Sequence, residues 1–175
     1  MKRIPTHPVS RKGFTLVETL VAITILMIAI AGPLVVASKG LNSALYAKDQ
    51  MTASFLAQES MEMIKNAKDN NIDAGTGWLG SFGGCFVSSP CDASALDAAN
   101  LNTLCSDSSG CRLYHSDTAG YNHSLQGSPT IFSRLFYIEA FSVDEVSVHV
   151  IVNWYEKTIP YQIHLTSQMT NSTRW

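Results

Sequence analysis

Residues 12–37 read KGFTLVETLVAITILMIAIAGPLVVA, and between Phe14 and Ala37 the only ionisable side chain is Glu18. At about 1.5 Å per residue, this run crosses a hydrocarbon core of roughly 30 Å as one helix. Lys2, Arg3, Arg11 and Lys12 precede it with no acid among them. That asymmetry keeps the leading segment on the cytoplasmic side and puts the C-terminal body outside the cytoplasm. An ordinary secretory signal has a shorter apolar core, with its small-residue cleavage site behind it. Here the small residue, Gly13, stands in front, so a cut after it removes the charges and keeps the helix. A carboxylate costs roughly 2.5–3.5 kcal/mol at the bilayer centre and less near an interface, so Glu18 is expected to have a function and a partner.

The apolar run bounds what remains. A chain of 175 residues with 46% hydrophobic content accommodates one modest domain plus this segment. Because the leading residues hold four of the 12 basic side chains, the rest carries eight against 14 acidic ones. An acidic body without a basic stripe argues against nucleic acid as the main ligand.

From residue 14 to about residue 68 the helical pattern has no strong break except Gly32 and Pro33 within the span, where a kink is expected. From Leu41 it is amphipathic, with Leu41, Leu45, Thr52, Phe55, Leu56 and Met63 on one side. After Asp69 the composition turns to Gly, Ser, Asn, Asp and Cys, giving a loop region over 69–128 with a short helix near 94–104. Strands are expected at 131–143, 145–155 and 159–168. In EVSVHVIVNWYEKTIPYQIHLTS (145–167), Val146, Val148, Val150, Val152 and Trp154 share one face, and a hairpin turn falls at Glu156–Pro160. The valine face is expected to pack on the Leu41–Met63 stripe. The fold class is therefore α+β: a long N-terminal helix, its first half transmembrane, with a C-terminal antiparallel sheet over 129–175.

The residues Lys12, Gly13, Phe14, Thr15, Leu16, Val17, Glu18 and Leu20 resemble the N-terminal signature of type IV prepilins and pseudopilins: a basic leader ending in Gly, then Phe, then an apolar helix with Glu as its fifth residue. The resemblance implies a leader at 1–13, a transmembrane and filament-core helix at 14–37, and an amphipathic continuation at 38–68. It implies that a prepilin peptidase cuts between Gly13 and Phe14 and N-methylates the new amine, with Glu18 serving assembly. It further implies a pilin-like fold and a structural, non-enzymatic role as a minor subunit of a type IV pilus or similar filament. The implied partners are other pilin or pseudopilin subunits, the peptidase, an inner-membrane assembly platform with its ATPase, and membrane lipid before assembly. The location implied is the bacterial inner membrane, single-pass, and then a surface or periplasmic filament. Two alternatives stand beside it: a minor pseudopilin of a type II secretion or DNA-uptake system, and a single-pass anchored binding or adhesin domain that does not polymerise.

Cys85, Cys91, Cys105 and Cys111 are disulfide candidates in an exported domain, with three connectivities open. Zinc is the rival, although structural zinc sites favour two to four intervening residues rather than five. No cofactor or metal is expected. GTGWLG (75–80) fits a dinucleotide fingerprint in spelling only, since it follows a helix and precedes a cysteine-bearing loop. DNNIDAG (69–75) starts like a calcium loop but has Ala74 and Gly80 at the sixth and twelfth positions, so an EF-hand is excluded and Asn70 or Asn71 reads as a helix C-cap. His115, His123, His149 and His164 form no pair on one helix face, and His149 and His164 are expected on the solvent face of adjacent strands.

Overall fold

A computed structural model describes residues 13–93, 111–123 and 127–171. The element order is helix α1 (Leu16–Asp73), a 3-10 turn at Gly80–Phe82, and strands β1 (Arg112–Ser116), β2 (Gly120–Asn122), β3 (Ser128–Ala140), β4 (Glu145–Glu156) and β5 (Ile159–Thr170). The strands form one sheet in the order β2-β1-β3-β4-β5, antiparallel throughout. The α+β arrangement read from the sequence is the one observed. By contacts the chain divides at Leu45/Tyr46 into two compact units.

The second unit is built on the alternation in β4. Val146, Val148, Val150 and Val152 are fully buried and Trp154 is nearly so. They join Phe132, Phe136 and Ile138 of β3 and the C-terminal part of α1 in one core. Each buried valine contributes roughly 1.5 kcal/mol or more. The helix face that meets them shares only part of the expected stripe: Leu56 is buried and Met63 packs against the core. Ala53, Leu56, Ala57, Ser60, Met61, Ile64 and Ala67 are buried, at the three-and-four spacing of one helix face, whereas Leu41, Leu45 and Phe55 are exposed. Hydrophobicity alone picked the larger residues. The sheet instead takes the face carrying Ala and Ser, because small side chains let a helix approach a surface already filled by Val, Phe and Trp.

The helix stops where Gly75, at φ +68°, closes a Schellman motif: Thr76 N–H donates to Asn71 O at 3.1 Å and Gly75 N–H to Ile72 O at 3.1 Å. Asn71 is thus not the cap expected of it. Its buried side chain accepts a hydrogen bond from Ser81 Oγ at 2.5 Å and donates to Trp78 O at 3.5 Å, fixing the loop that follows.

Strands β1 and β2 lie inside the stretch expected to be loop. Both are short, and RLYHS and GYN are too brief for a period of two to register. The helix expected near 94–104 lies outside the described residues. At the other end, the turn between β4 and β5 is Lys157-Thr158, with Lys157 at φ 57°. Pro160 sits on the outermost strand β5, where a missing N–H leaves no gap in the ladder.

Candidate functional site

The segment that the sequence singles out starts with a helix cap. Thr15 precedes the first helical residue, and Glu18 N–H donates to its Oγ1 at 3.2 Å. Thr-x-x-Glu is the spacing of a capping box, and Glu18 lies in the first turn, where the helix dipole favours a carboxylate by about 0.3–1 kcal/mol. TLVE followed by an apolar run is the sequence signal for this local role.

The other polar side chains of the span are satisfied within the helix. Thr19 Oγ1 donates to Leu16 O at 2.8 Å, Thr24 Oγ1 to Val21 O at 2.8 Å and Ser38 Oγ to Val35 O at 3.0 Å. Such back-bonding is what hydroxyls do where no water is available. Glu18 differs: its side chain is exposed, and among the described residues no cation pairs with it.

Every described residue from Gly13 to Leu45 is exposed, including Phe14 at 76% and Leu16 at 80%. The helix is long and apolar enough to cross a membrane, and no part of its most apolar window is buried within the chain. An apolar surface of this extent requires lipid or protein against it. Pro33 stands inside the helix. A Cβ built on Gly13 or Gly32 meets nothing within 4 Å, so no packing among the described residues demands glycine at either position.

The cysteines do structural work. Cys85 and Cys91 form a disulfide, which overturns the nested connectivity in which Cys85 joins Cys111. Cys111 is also disulfide-bonded; Cys105 lies outside the described residues. Three cysteine carbonyls accept from the edge N–H groups of three alternate β3 residues: Arg134 donates to Cys111 O at 2.9 Å, Phe136 to Cys91 O at 2.8 Å and Ile138 to Cys85 O at 2.8 Å. Strand β1 covers the first half of that edge and the disulfide loop covers the second. The loop thereby closes an edge that would otherwise offer open hydrogen bonds to another chain.

Among the described residues no group of three or more His, Cys, Asp or Glu converges as a metal site. The glycines of 75–80 form a turn, with Gly77 at φ 84°. Of the histidines, His115 packs edge-on against Tyr121, and His123 pairs with Asp92, tying the end of β2 to the residue after Cys91. His149 and His164 meet on the outer face of the sheet.

Comparison with known proteins gives one result. The family described as the prokaryotic N-terminal methylation motif matches residues 9–32, the segment bearing Gly13, Phe14, Glu18 and Gly32. No curated protein and no solved structure matches the chain significantly. Residues 9–32 carry the signature of type IV prepilins and pseudopilins, which supports a pilin-like or pseudopilin-like protein. The motif implies processing by a prepilin peptidase and assembly with other pilins, and with the apolar helix it fits membrane anchoring.

Proposed function

We propose that this chain is a minor structural subunit of a type IV pilus or a pilus-like filament. It is made as a membrane-anchored precursor in the bacterial inner membrane with its sheet domain outside the cytoplasm. Residues 1–13 are the leader, the peptidase cuts between Gly13 and Phe14, and N-methylation follows on the Phe14 amine. An assembly platform powered by its ATPase then draws the helix out of the lipid and stacks it against those of other subunits. Gly32 and Pro33 give the packed helix a place to bend.

The observation that carries this reading is the contrast along the span: each hydroxyl satisfies itself within the helix, while Glu18 is exposed beside a future amino terminus. Within one chain the new amine is a helical turn away. In a staggered stack the amine of the next subunit comes beside Glu18 and supplies the missing cation. A pair of that kind sets register more than it adds stability.

The test is expression of the full chain together with a filament system. Recovery of the mature chain, starting at N-methylated Phe14, in sheared filaments is the expected result. Mature protein found only in the membrane fraction would favour the non-polymerising anchor instead. A system whose loss blocks secretion or DNA uptake, with this chain in its filament, would assign it to a pseudopilus.

A further inference from the structure

The outer face of the sheet carries a donor set that the filament role leaves unused. Tyr137, His149 and Thr166 are direct neighbours across β3, β4 and β5, and His164 lies on the same face of β5 as Thr166, two residues before it. His149 Nδ1 is 3.0 Å from His164 Nε2 and 3.2 Å from Thr166 Oγ1, and the last two atoms are 3.4 Å apart. Three atoms with lone pairs thus form a triangle with sides of 3.0–3.4 Å.

That triangle has the dimensions of a chelate. With imidazole nitrogens about 2.0–2.1 Å from one ion, their separation is roughly 2.9 Å at a right angle and 3.3 Å at the tetrahedral angle. The His149 ring is also held in place. Tyr137 stacks on His149 with ring centroids 4.7 Å apart and planes 14° apart, and the side chain of His149 is only 14% exposed. Its other nitrogen, Nε2, is buried without a hydrogen bond and lies 3.5 Å from Glu139 Oε2. A histidine that binds metal through one nitrogen commonly gives the other N–H to a carboxylate, which fixes the tautomer and raises the basicity of the ligand. Glu139 stands where that partner belongs.

We propose that His149 Nδ1, His164 Nε2 and Thr166 Oγ1 bind one divalent transition ion of the zinc or copper class, with water completing the shell and Glu139 orienting His149. Two imidazoles select such ions over Ca²⁺ and Mg²⁺, which prefer all-oxygen sites.

The test uses the full chain in detergent micelles, titrated calorimetrically with Zn²⁺ and separately with Ca²⁺. One Zn²⁺ per chain should bind, with no Ca²⁺ response. His164→Ala should weaken Zn²⁺ binding more than tenfold, and Glu139→Gln should weaken it by roughly tenfold. His164 is exposed, so its replacement should leave the far-UV circular dichroism unchanged. Cu²⁺ bound to the wild-type chain should show hyperfine splitting from two nitrogens, reduced to one in His164→Ala. Absence of saturable Zn²⁺ binding, or equal affinity in wild type and a folded His164→Ala, would overturn the proposal, the second by locating the ion elsewhere.

Discussion

Arg134 Nη1 donates to Glu59 Oε2 at 2.6 Å, joining β3 to α1 across the core. The guanidinium is wholly buried, while the Glu59 side chain keeps 42% of its surface. Arg134 also donates to the carbonyls of Leu56, at 3.2 Å, and Ala93. One cation thus ties together the helix, the sheet and the segment following the Cys85–Cys91 loop, at a position where an apolar residue would have fixed none of the three.

The pair is asymmetric, which gives a prediction. Glu59→Ala strands a buried cation and should cost about 3 kcal/mol, whereas Glu59→Gln keeps an acceptor and should cost about 1 kcal/mol. Arg134→Met, which frees Glu59 to rehydrate and fills the volume, should cost less than Glu59→Ala. Urea unfolding followed by far-UV circular dichroism ranks the three, and an order with Arg134→Met as the worst would show that the carbonyl bonds outweigh the charge.

What the sequence revealed divides by mechanism. The apolar run and the alternation in β4 were readable because each is long and strictly periodic, as was the methylation motif over 9–32 because it is local. Arg134 was not, since nothing in SPTIFSRLFYIEA distinguishes an inward arginine from the tip of an edge strand. The buried helix face escaped for the opposite reason: Ala53, Ala57 and Ser60 carry little hydrophobic signal, and their smallness matters only once a sheet lies against them. The contact between His149 and His164 depends on the register of β4 with β5, which pairs His149 with Thr166 and which no single-strand pattern reports.

Replacing Ala57 with Leu tests that helix face. Ala57 is 1% exposed and Phe55 67% exposed. Ala57→Leu overpacks the contact and should cost about 1–3 kcal/mol, while Phe55→Ala should change stability by no more than about 0.5 kcal/mol. Thermal melts of the two variants that came out in the reverse order would reinstate the Leu41–Met63 stripe.

The disulfide loop is expected to guard the edge of β3 as well as to stabilise it. Closing a loop with a sequence separation of 6 is worth about 2 kcal/mol in the chain-entropy account, so Cys85→Ser/Cys91→Ser should lower stability by roughly that much. Its second consequence is a rise in self-association, measured by light scattering, as Phe136 and Ile138 lose their partners. Non-reducing peptide mapping should join Cys85 to Cys91 and find Cys111 in a second disulfide.

Gly127 offers a steric test of how β1 is seated. A Cβ at that position would lie 2.7 Å from His115 O and 2.9 Å from the carbonyl carbon, and backbone cannot yield as a side chain can. Gly127→Ala should therefore displace β1 and cost about 1–3 kcal/mol, with faster amide exchange in Arg112–Ser116 than in β4. Uniform exchange rates across the sheet would mean the strain is absorbed elsewhere.

Processing and assembly separate at two residues five positions apart. Gly13→Leu should block maturation, leaving a precursor that retains residues 1–13 by intact-mass measurement, because a Cβ there meets nothing within 4 Å among the described residues and the effect is expected to come from the peptidase. Glu18→Gln should mature normally and keep its fold, since the cap from Thr15 uses the backbone N–H of residue 18 rather than its carboxylate. The loss of charge should appear only in the filament, as a fall in incorporation when mutant and wild type are co-expressed. Thr15→Val removes the cap and leaves the carboxylate, so it should fray the first turn by about 1 kcal/mol while incorporation persists. If Thr15→Val and Glu18→Gln impaired assembly equally, the carboxylate would be serving the helix end alone, and the proposed pairing with the amine of a neighbouring subunit would have to be given up.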